Sequence, residues 1–400
     1  MRGLLVREKK KVGVERVKKK ERLNYNIIFV LFLMLCASVI AIYSAQQTHQ
    51  YPTNFAVRQV MWYGVGAVII ALAMIPDTEQ MDKLTWYFYW FNIAILVLLV
   101  VSPEAIAPKK NDAKSWFVLP GVGSIQPSEF MKMGLILALS KVITKHNETF
   151  KLRNFHTDLK LLWKMAFTTL LPILLVMLQP DLGTALVIMF IFTVMLFMSG
   201  VTWKLITGLY GIIGTIGASI LYMVLYHPKI LSTYLHVSQY QFNRIYAWLD
   251  PESYKASLSY NYMQAVTAIG SGRMNGNGFF RDHVLYVPEK HSDFIFSAIG
   301  ESFGFVGGSI VISLFMLLVY NIVIVASNTK EPFQSYICAG IIAMITFHVF
   351  ENIGMDIGVL PITGIPLPFI SYGGSSLMSS MLAIGIILKI SYESNQYMFD

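Results

Sequence analysis

Apolar runs long enough to cross a lipid bilayer recur along the whole of this sequence. A bilayer-spanning helix needs roughly 20 predominantly apolar residues. Only 14% of the residues are charged, against about 25% in soluble domains. The sequence therefore predicts an all-α polytopic membrane protein with about ten transmembrane helices, at 25–44, 56–75, 83–101, 127–145, 162–178, 183–200, 204–226, 296–327, 333–354 and 370–390.

The positive charge is concentrated at the N-terminus and predicts the topology. Residues 1–22 contain ten Lys or Arg and three Glu, a balance of +7, which leaves +1 of the total +8 for the rest of the chain. Lys and Arg beside a span favour the cytoplasmic side, and a basic tail also suits anionic lipid. We therefore expect both termini in the cytoplasm, and we regard nucleic-acid binding as disfavoured.

This topology predicts three regions. They are a basic cytoplasmic tail at 1–24, a transmembrane domain at 25–390 and a cytoplasmic C-terminal tail at 391–400. A large extracellular loop, 227–295, separates the seventh helix from the eighth. Every chemically unusual segment then lies on the outer side: 102–128, 179–183, 227–295 and 355–372.

The segment Val287–Phe296 has the strongest chemical signal. Glu289, Lys290, His291, Asp293 and Glu301 fall within thirteen residues, next to an uncharged run of 28 residues from 302 to 329. A carboxylate at the start of a span can be a helix cap or an interfacial anchor. Alternatively, partial burial raises a carboxylate's pKa toward values that suit a general base. Both interpretations of Asp293 stay open from the residues alone.

The segment Gln126–Lys132 places charge inside an apolar run. Pro127 and Ser128 suit the start of a helix, with Ser128 able to cap it. Glu129 and Lys132 are three residues apart and share one helix face. They are expected to form either a structural ion pair or a cation held ready for a phosphate.

Three other outer segments carry weaker signals. Lys114 and Trp116 belong to a basic, aromatic loop, and Asp181 lies in a tight turn where it can cap a helix or bind a ligand. Tyr240, Arg244 and Trp248 are spaced four apart, which predicts a short helix on the membrane surface or a phosphate contact by Arg244. The glycines at 270, 272, 276 and 278 lack the Gly-Lys-Ser/Thr ending of a nucleotide loop and predict a close approach of backbones.

The stretch from 352 to 376 cannot form a regular helix throughout. Pro361, Pro366 and Pro368 interrupt it, together with repeated glycines. Irregular backbone at membrane depth is tolerated only inside protein or against a wet cavity. The pattern therefore predicts a re-entrant element or cap that lines the same outer cavity as Asp293.

Together these motifs resemble the SEDS family (shape, elongation, division and sporulation), of the RodA and FtsW type and closer to RodA. The resemblance covers about residues 25–390. One departure is Ser115 before Trp116, where many relatives have arginine. The six ordered motifs that carry the resemblance are Lys114–Phe117, Gln126–Lys132, Gln179–Thr184, Val287–Phe296, Gly300–Gly304 and Pro361–Ser376.

The resemblance implies a peptidoglycan glycosyltransferase that polymerises lipid II outside the membrane during cell elongation. It implies a class B penicillin-binding protein as partner, alongside other cell-wall elongation or division proteins, and leaves room for a divalent cation, Mg²⁺ or Mn²⁺. The family's catalytic aspartate falls on Asp293. The expected substrate-binding residues are Lys114, Trp116, Gln126, Ser128, Glu129, Lys132, Asp181, Arg244, Glu301 and Ser371.

Three alternatives stay open at this point. The first is a flippase that moves lipid II between leaflets, for which His348 and Glu351 in the ninth run are the best signal. The second is a division or sporulation paralogue of the same family. The third is a scaffold that only recruits cell-wall enzymes.

Overall fold

The computed structural model describes most of the chain outside the N-terminal tail and the large loop. The described residues are 23–47, 53–109, 113–119, 123–226, 246, 248–251, 258–278 and 286–396. Arg244 and Tyr240 lie outside them.

Helices make up nearly all of the described structure. In chain order they are α1 Tyr25–Gln46, α2 Phe55–Ala73, α3 Thr78–Val101, α4 Pro127–Thr149, α5 Phe155–Met177, α6 Leu182–Met198, α7 Trp203–Tyr226, α8 Leu258–Gly272, α9 Ile295–Asn328, α10 Pro332–Asp356 and α11 Gly374–Gln396. Each of the ten predicted runs falls on one of these helices, and α8 is an additional helix within the predicted loop. The all-α polytopic architecture is therefore confirmed.

Eight of the described helices are long and apolar enough to span a membrane. Helix α6 is apolar but has only 17 residues, and α4 contains charged residues along its length. Two predicted starts were too late, because capping boxes at Asp77 and Asn154 begin α3 and α5 several residues before the apolar runs. The number of spans and their orientation stay predictions.

The two ends of α4 define the two ends of the bundle. We call the end where α4 begins the upper end, and the end where it finishes the lower end. The segment before α4 forms a hairpin of β1 Phe117–Leu119 and β2 Gly123–Ile125, which pair antiparallel. The sequence analysis missed this hairpin, whose strands have only three residues each.

The glycine-rich loop after α8 packs against α9, as its glycines predicted. Gly304 interrupts α9 with non-helical backbone angles, φ 63° and ψ −156°. The amide of Asn277 donates to the carbonyl of Glu301 (2.8 Å), and that of Gly278 donates to Ser302 (3.0 Å). A Cβ on Gly272 would collide with the backbone of Gly300. The close approach therefore satisfies the hydrogen-bonding groups that the break in α9 leaves free.

The proline-rich stretch between α10 and α11 is irregular and largely buried, as expected. Side chains of α1 and α2 satisfy its carbonyls. Tyr63 donates to Phe369 O (2.6 Å), Ser38 to Ile370 O (2.7 Å) and Gln59 to Ser371 O (3.1 Å). Helices α1 and α2 thus supply the hydrogen-bond donors that lipid lacks, and these donors allow the backbone of the proline-rich stretch to be irregular.

Candidate active site

A cavity of about 500 Å³ opens at the upper end of the bundle. The starts of α2, α4, α6 and α11 meet there with strand β2, the turn that precedes α9 and the proline-rich stretch. Of the predicted site residues, Asp293, Trp116, Gln126, Glu129 and Asp181 line it. Other lining residues include Arg58, Trp62, Ser115, Glu289, His291, Ser292, Thr363, Gly364, Ile365, Pro366 and Tyr372.

Asp293 lies on a turn held at several backbone atoms. The Asn352 amide donates to Asp293 O (2.6 Å), the Ser371 hydroxyl donates to Ser292 O (2.6 Å) and the Tyr372 amide donates to His291 O (2.9 Å). Asp293 itself is only partly buried. The backbone is thus fixed by α10 and the proline-rich stretch, while the carboxylate faces the cavity.

Lys290 and Glu301 form a buried ion pair below this turn. Burial lowers the pKa of the Lys290 ammonium, and the neighbouring Glu301 carboxylate opposes part of that shift. Neither residue lines the cavity. Glu301 was expected to bind substrate, and the structure instead places it as the partner of Lys290, joining α9 to the turn.

His291 stacks on Phe55 and lies near Tyr372 at the side of the cavity. Its ring lies 4.2 Å from that of Phe55 with an interplanar angle of 5°, and 5.7 Å from that of Tyr372. Burial lowers the pKa of His291, opposed in part by Glu289, whose Oε2 is 3.9 Å from Nε2. The lowered pKa favours the neutral ring, which presents its flat face to Phe55.

Glu129 and Lys132 form the predicted i, i+3 ion pair inside the bundle. Lys132 is 1% exposed, and its Nζ lies 2.8 Å from Glu129 Oε1 and 2.8 Å from His348 Nε2. Because His348 Nδ1 donates to Met344 O (2.7 Å), its Nε2 is free to accept from the ammonium. Glu129 lines the cavity, whereas Lys132 lies behind it.

Asp181 and Gln126 connect the starts of α6 and α4 across the cavity. Gln126 Nε2 donates to Asp181 Oδ2 (2.8 Å), and the Thr184 amide donates to Asp181 Oδ1 (3.0 Å). Asp181 is the N-cap of α6, so one of its two predicted roles is observed. Ser128 does not cap α4: the N-cap is Gln126, Pro127 follows it, and the buried Ser128 hydroxyl has no partner among the described residues.

Two further expected residues have structural contacts and do not line the cavity. The Lys114 ammonium donates to Val100 O (3.0 Å) and to Ser102 O at the end of α3, where a cation stabilises the terminal carbonyls. Ser371 accepts from the Leu367 amide (2.8 Å) and braces Ser292. The sequence patterns at Lys114 and Ser371 predicted ligand contacts. The same patterns are equally typical of residues that cap a helix or hydrogen-bond to a turn.

Arg58 is the residue that the sequence analysis missed. It lies in the first turn of α2, four residues after the N-cap Asn54, and it is the only Lys or Arg among the described residues that line the cavity. A single arginine at the predicted outer end of an apolar run is the signal that could have identified it. Four carboxylates face the same space: Glu129, Asp181, Glu289 and Asp293.

This fold and cavity define a class: polytopic membrane proteins with a carboxylate-lined site at one end of the helix bundle. Comparison with known proteins gives the particular family. Residues 22–396 match the family FtsW/RodA/SpoVE, described as cell cycle protein, and the chain belongs to it. It is therefore a multi-pass protein of the bacterial membrane.

Individual relatives match over nearly the whole chain. Stage V sporulation protein E of Bacillus subtilis is 32% identical, with 93% of this chain and 98% of the relative covered. Peptidoglycan glycosyltransferase MrdB of Escherichia coli is 31% identical, with 93% and 94% covered. The enzyme class expected from the sequence, a peptidoglycan glycosyltransferase, is confirmed.

Solved structures support the same fold. A chain of a peptidoglycan synthase complex that coordinates polymerization and crosslinking is 25% identical, with a TM-score of 0.73 and 94% of this chain and 99% of that chain covered. The rod shape determining protein RodA of Thermus thermophilus is 24% identical, with a TM-score of 0.65 and coverage of 92% and 96%.

Proposed function

We propose that this protein polymerises lipid II, the disaccharide-pentapeptide carried on undecaprenyl pyrophosphate, into glycan strands at the outer face of the membrane, with Asp293 as the general base. The observation that carries the proposal is the position of Asp293. Its backbone is fixed, its carboxylate faces the cavity, and the cavity opens at the end of the bundle that the basic N-terminal tail predicts to be outside.

The reaction needs one base, because the donor sugar already carries a good leaving group. Asp293 accepts the proton of the acceptor 4-hydroxyl as its oxygen attacks the anomeric carbon of the donor. The bond from that carbon to the pyrophosphate breaks, and undecaprenyl pyrophosphate leaves with the bonding electrons. A positioned base contributes on the order of 10²–10⁴-fold, and a cation that faces the leaving group stabilises the developing charge.

The family resemblance leaves room for a divalent cation, Mg²⁺ or Mn²⁺, in the reaction. The described residues contain no group of three or more His, Cys, Asp or Glu side chains placed to hold a metal ion. The carboxylates that line the cavity are spread over α4, α6 and the turn before α9. We therefore assign no step of the reaction to a metal.

Arg58 is the described cation best placed to contact the pyrophosphate. We expect Arg58→Ala to raise KM for lipid II about ten-fold, equivalent to ~1.4 kcal/mol, with a smaller effect on kcat. Initial polymerisation rates over a range of lipid II concentrations measure this. Lys83→Ala is the matched control, since Lys83 pairs with Glu79 on exposed surface at the lower end. Equal effects of the two substitutions would contradict a specific contact by Arg58.

Gly364 shapes the cavity beside the base. It has φ +75°, and a Cβ there would lie 3.4 Å from Asp293 Oδ2. We expect Gly364→Ala to lower kcat about ten-fold or more, because it strains the backbone by ~1–3 kcal/mol and places a methyl group in van der Waals contact with the carboxylate. Gly278→Ala is the control: Gly278 has φ +84° with nothing within 4 Å of its Cβ position. If both variants lose activity equally, backbone strain alone explains the loss.

A class B penicillin-binding protein is the partner that we propose. Support comes from the similar chain in a solved complex that joins polymerization to crosslinking. Co-purification of the two full-length proteins from membranes, followed by a polymerisation assay with and without the partner, tests the proposal. Absence of a stable complex together with an unchanged rate would count against it.

For the cellular role we propose elongation, on the basis of the motif details that resemble RodA. Depletion of the protein in its own bacterium tests this role. Rounded cells are expected. Filamentous cells would instead indicate division, and failure only at spore formation would indicate the sporulation paralogue.

One experiment tests the central proposal against the flippase and scaffold alternatives. Purified protein in nanodiscs receives fluorescent lipid II, alone and with the partner, and the products are separated on a gel. We expect a ladder of glycan strands. In parallel, liposomes report movement of lipid II between leaflets. Movement without polymer would establish the flippase, and neither activity would favour the scaffold.

A further inference from the structure

Two buried polar residues at the end of α10 contact the segment that carries the base. Asn352 and Asp356 are one helical turn apart and are both 0% exposed. Asn352 Nδ2 donates to Asp293 O (2.6 Å) and also to Ile365 O (2.8 Å). Asp356 Oδ2 accepts from the backbone amide of Ser297 (2.9 Å). One face of α10 thus contacts the turn and the helix that follows it.

Helix α9 lacks a cap of its own at this point. It begins at Ile295 with Phe294 as N-cap, and Phe294 has no side-chain oxygen to satisfy the first amides. Asp356 provides that oxygen from another helix, to the Ser297 amide, which also donates to Phe294 O (3.1 Å). Asp356 therefore holds the first turn of α9, which begins two residues after Asp293.

Stability alone does not account for these two residues. Each leaves one buried oxygen without a hydrogen-bond partner among the described residues, Asn352 Oδ1 and Asp356 Oδ1, and a buried unsatisfied oxygen is unfavourable. Residues that oppose stability in this way are common where function needs a fixed geometry.

We propose that Asn352 and Asp356 are positioning residues that set the place of the Asp293 carboxylate in the cavity. The Asn352 amide donates both to the Asp293 carbonyl and to the Ile365 carbonyl, next to Gly364. One side chain therefore fixes the backbone of the base and the backbone of the cavity lining beside it. Asp356 holds the backbone four residues further on. The inference rests on the proposed role of Asp293 as base and extends it to the residues that orient it.

The test compares four variants of the full chain in nanodiscs with lipid II. Asp356→Ala and Asn352→Ala remove the contacts, and we expect kcat to fall about 10- to 100-fold, since misplacement by about 1 Å costs on that order, with little change in KM. Asp356→Asn keeps an oxygen that can accept from Ser297 and should retain most of kcat. Asn352→Asp removes the amide donor and should resemble Asn352→Ala.

Asn321→Ala is the matched control. Asn321 is also buried on a spanning helix, but among the described residues its amide donates only to Leu317 O of its own helix (2.7 Å), and we expect wild-type kcat. If Asp356→Ala and Asn352→Ala polymerise at the wild-type rate per folded molecule, the inference is wrong. The inference is equally wrong if Asp356→Asn is as impaired as Asp356→Ala, because the hydrogen bond from the Ser297 amide would then not explain the loss of kcat.

A readout that needs no activity separates this inference from the proposed function. Hydrogen exchange at the Ser297 amide should be faster in Asp356→Ala than in wild type and near wild type in Asp356→Asn. Unchanged exchange in Asp356→Ala would refute the capping contact even if polymerisation is seen. Conversely, faster exchange with no polymer from the wild-type protein would support the capping contact and overturn the proposed function.

Discussion

Asp293→Asn is expected to slow polymer formation severely while leaving the fold and the affinity for lipid II close to those of wild type. The amide has the same shape as the carboxylate but cannot take the proton of the acceptor hydroxyl, so kcat should fall by about 10²–10⁴-fold. The Asn352 bond to this turn uses the backbone carbonyl of residue 293, which the substitution retains. Initial rates with purified protein, and thermal unfolding of the same samples, measure the two effects.

The control for this variant is Glu104→Gln. Glu104 is an exposed carboxylate that follows α3 and pairs with Lys109 (3.2 Å), outside the cavity, and we expect normal rates. A second substitution, Glu289→Gln, asks which carboxylate of the turn is the base. If Asp293→Asn polymerises normally while Glu289→Gln does not, the assignment moves to Glu289. If neither matters, general-base catalysis from this turn is excluded.

The sequence predicted the scaffold of this protein well because the bilayer imposes simple rules. A helix must be long and apolar to span lipid, and its backbone must satisfy its own hydrogen bonds. The ten apolar runs therefore each fell on a helix. The errors are local and have local causes, such as Asp77 and Asn154, which begin helices within polar sequence.

The site was harder to predict because its contacts join residues far apart in the chain. Gln126 meets Asp181, Lys132 meets His348, and Asp293 meets Asn352. Nothing in local spacing distinguishes a lysine that caps a helix, such as Lys114, from one that binds a ligand. Likewise Glu301 and Asp293 are both carboxylates close to the start of the same apolar run. In the structure Glu301 pairs with Lys290 below the turn, whereas Asp293 faces the cavity.

Lys132→Met is expected to destabilise the protein strongly. Loss of the Lys132 ammonium leaves the Glu129 carboxylate buried without its cation, and breaking a buried ion pair in this way costs about 3–5 kcal/mol. Lys141→Met is the matched control on the same helix: the Lys141–Asp82 pair (2.9 Å) is partly exposed, and its loss should cost under about 1 kcal/mol. Chemical or thermal unfolding of the detergent-solubilised proteins measures both. Similar losses for the two variants would contradict the importance of burial.

The double variant Glu129→Gln/Lys132→Met then separates structure from function. It removes the unpaired charge, so we expect most of the lost stability to return. Polymerisation should stay at least about ten-fold below wild type, equivalent to ~1.4 kcal/mol in the barrier, because Glu129 lines the cavity and its charge is gone. Full recovery of both stability and rate would mean that the pair only joins helices, since Lys132 lies behind the cavity and makes its contacts to Glu129 and His348.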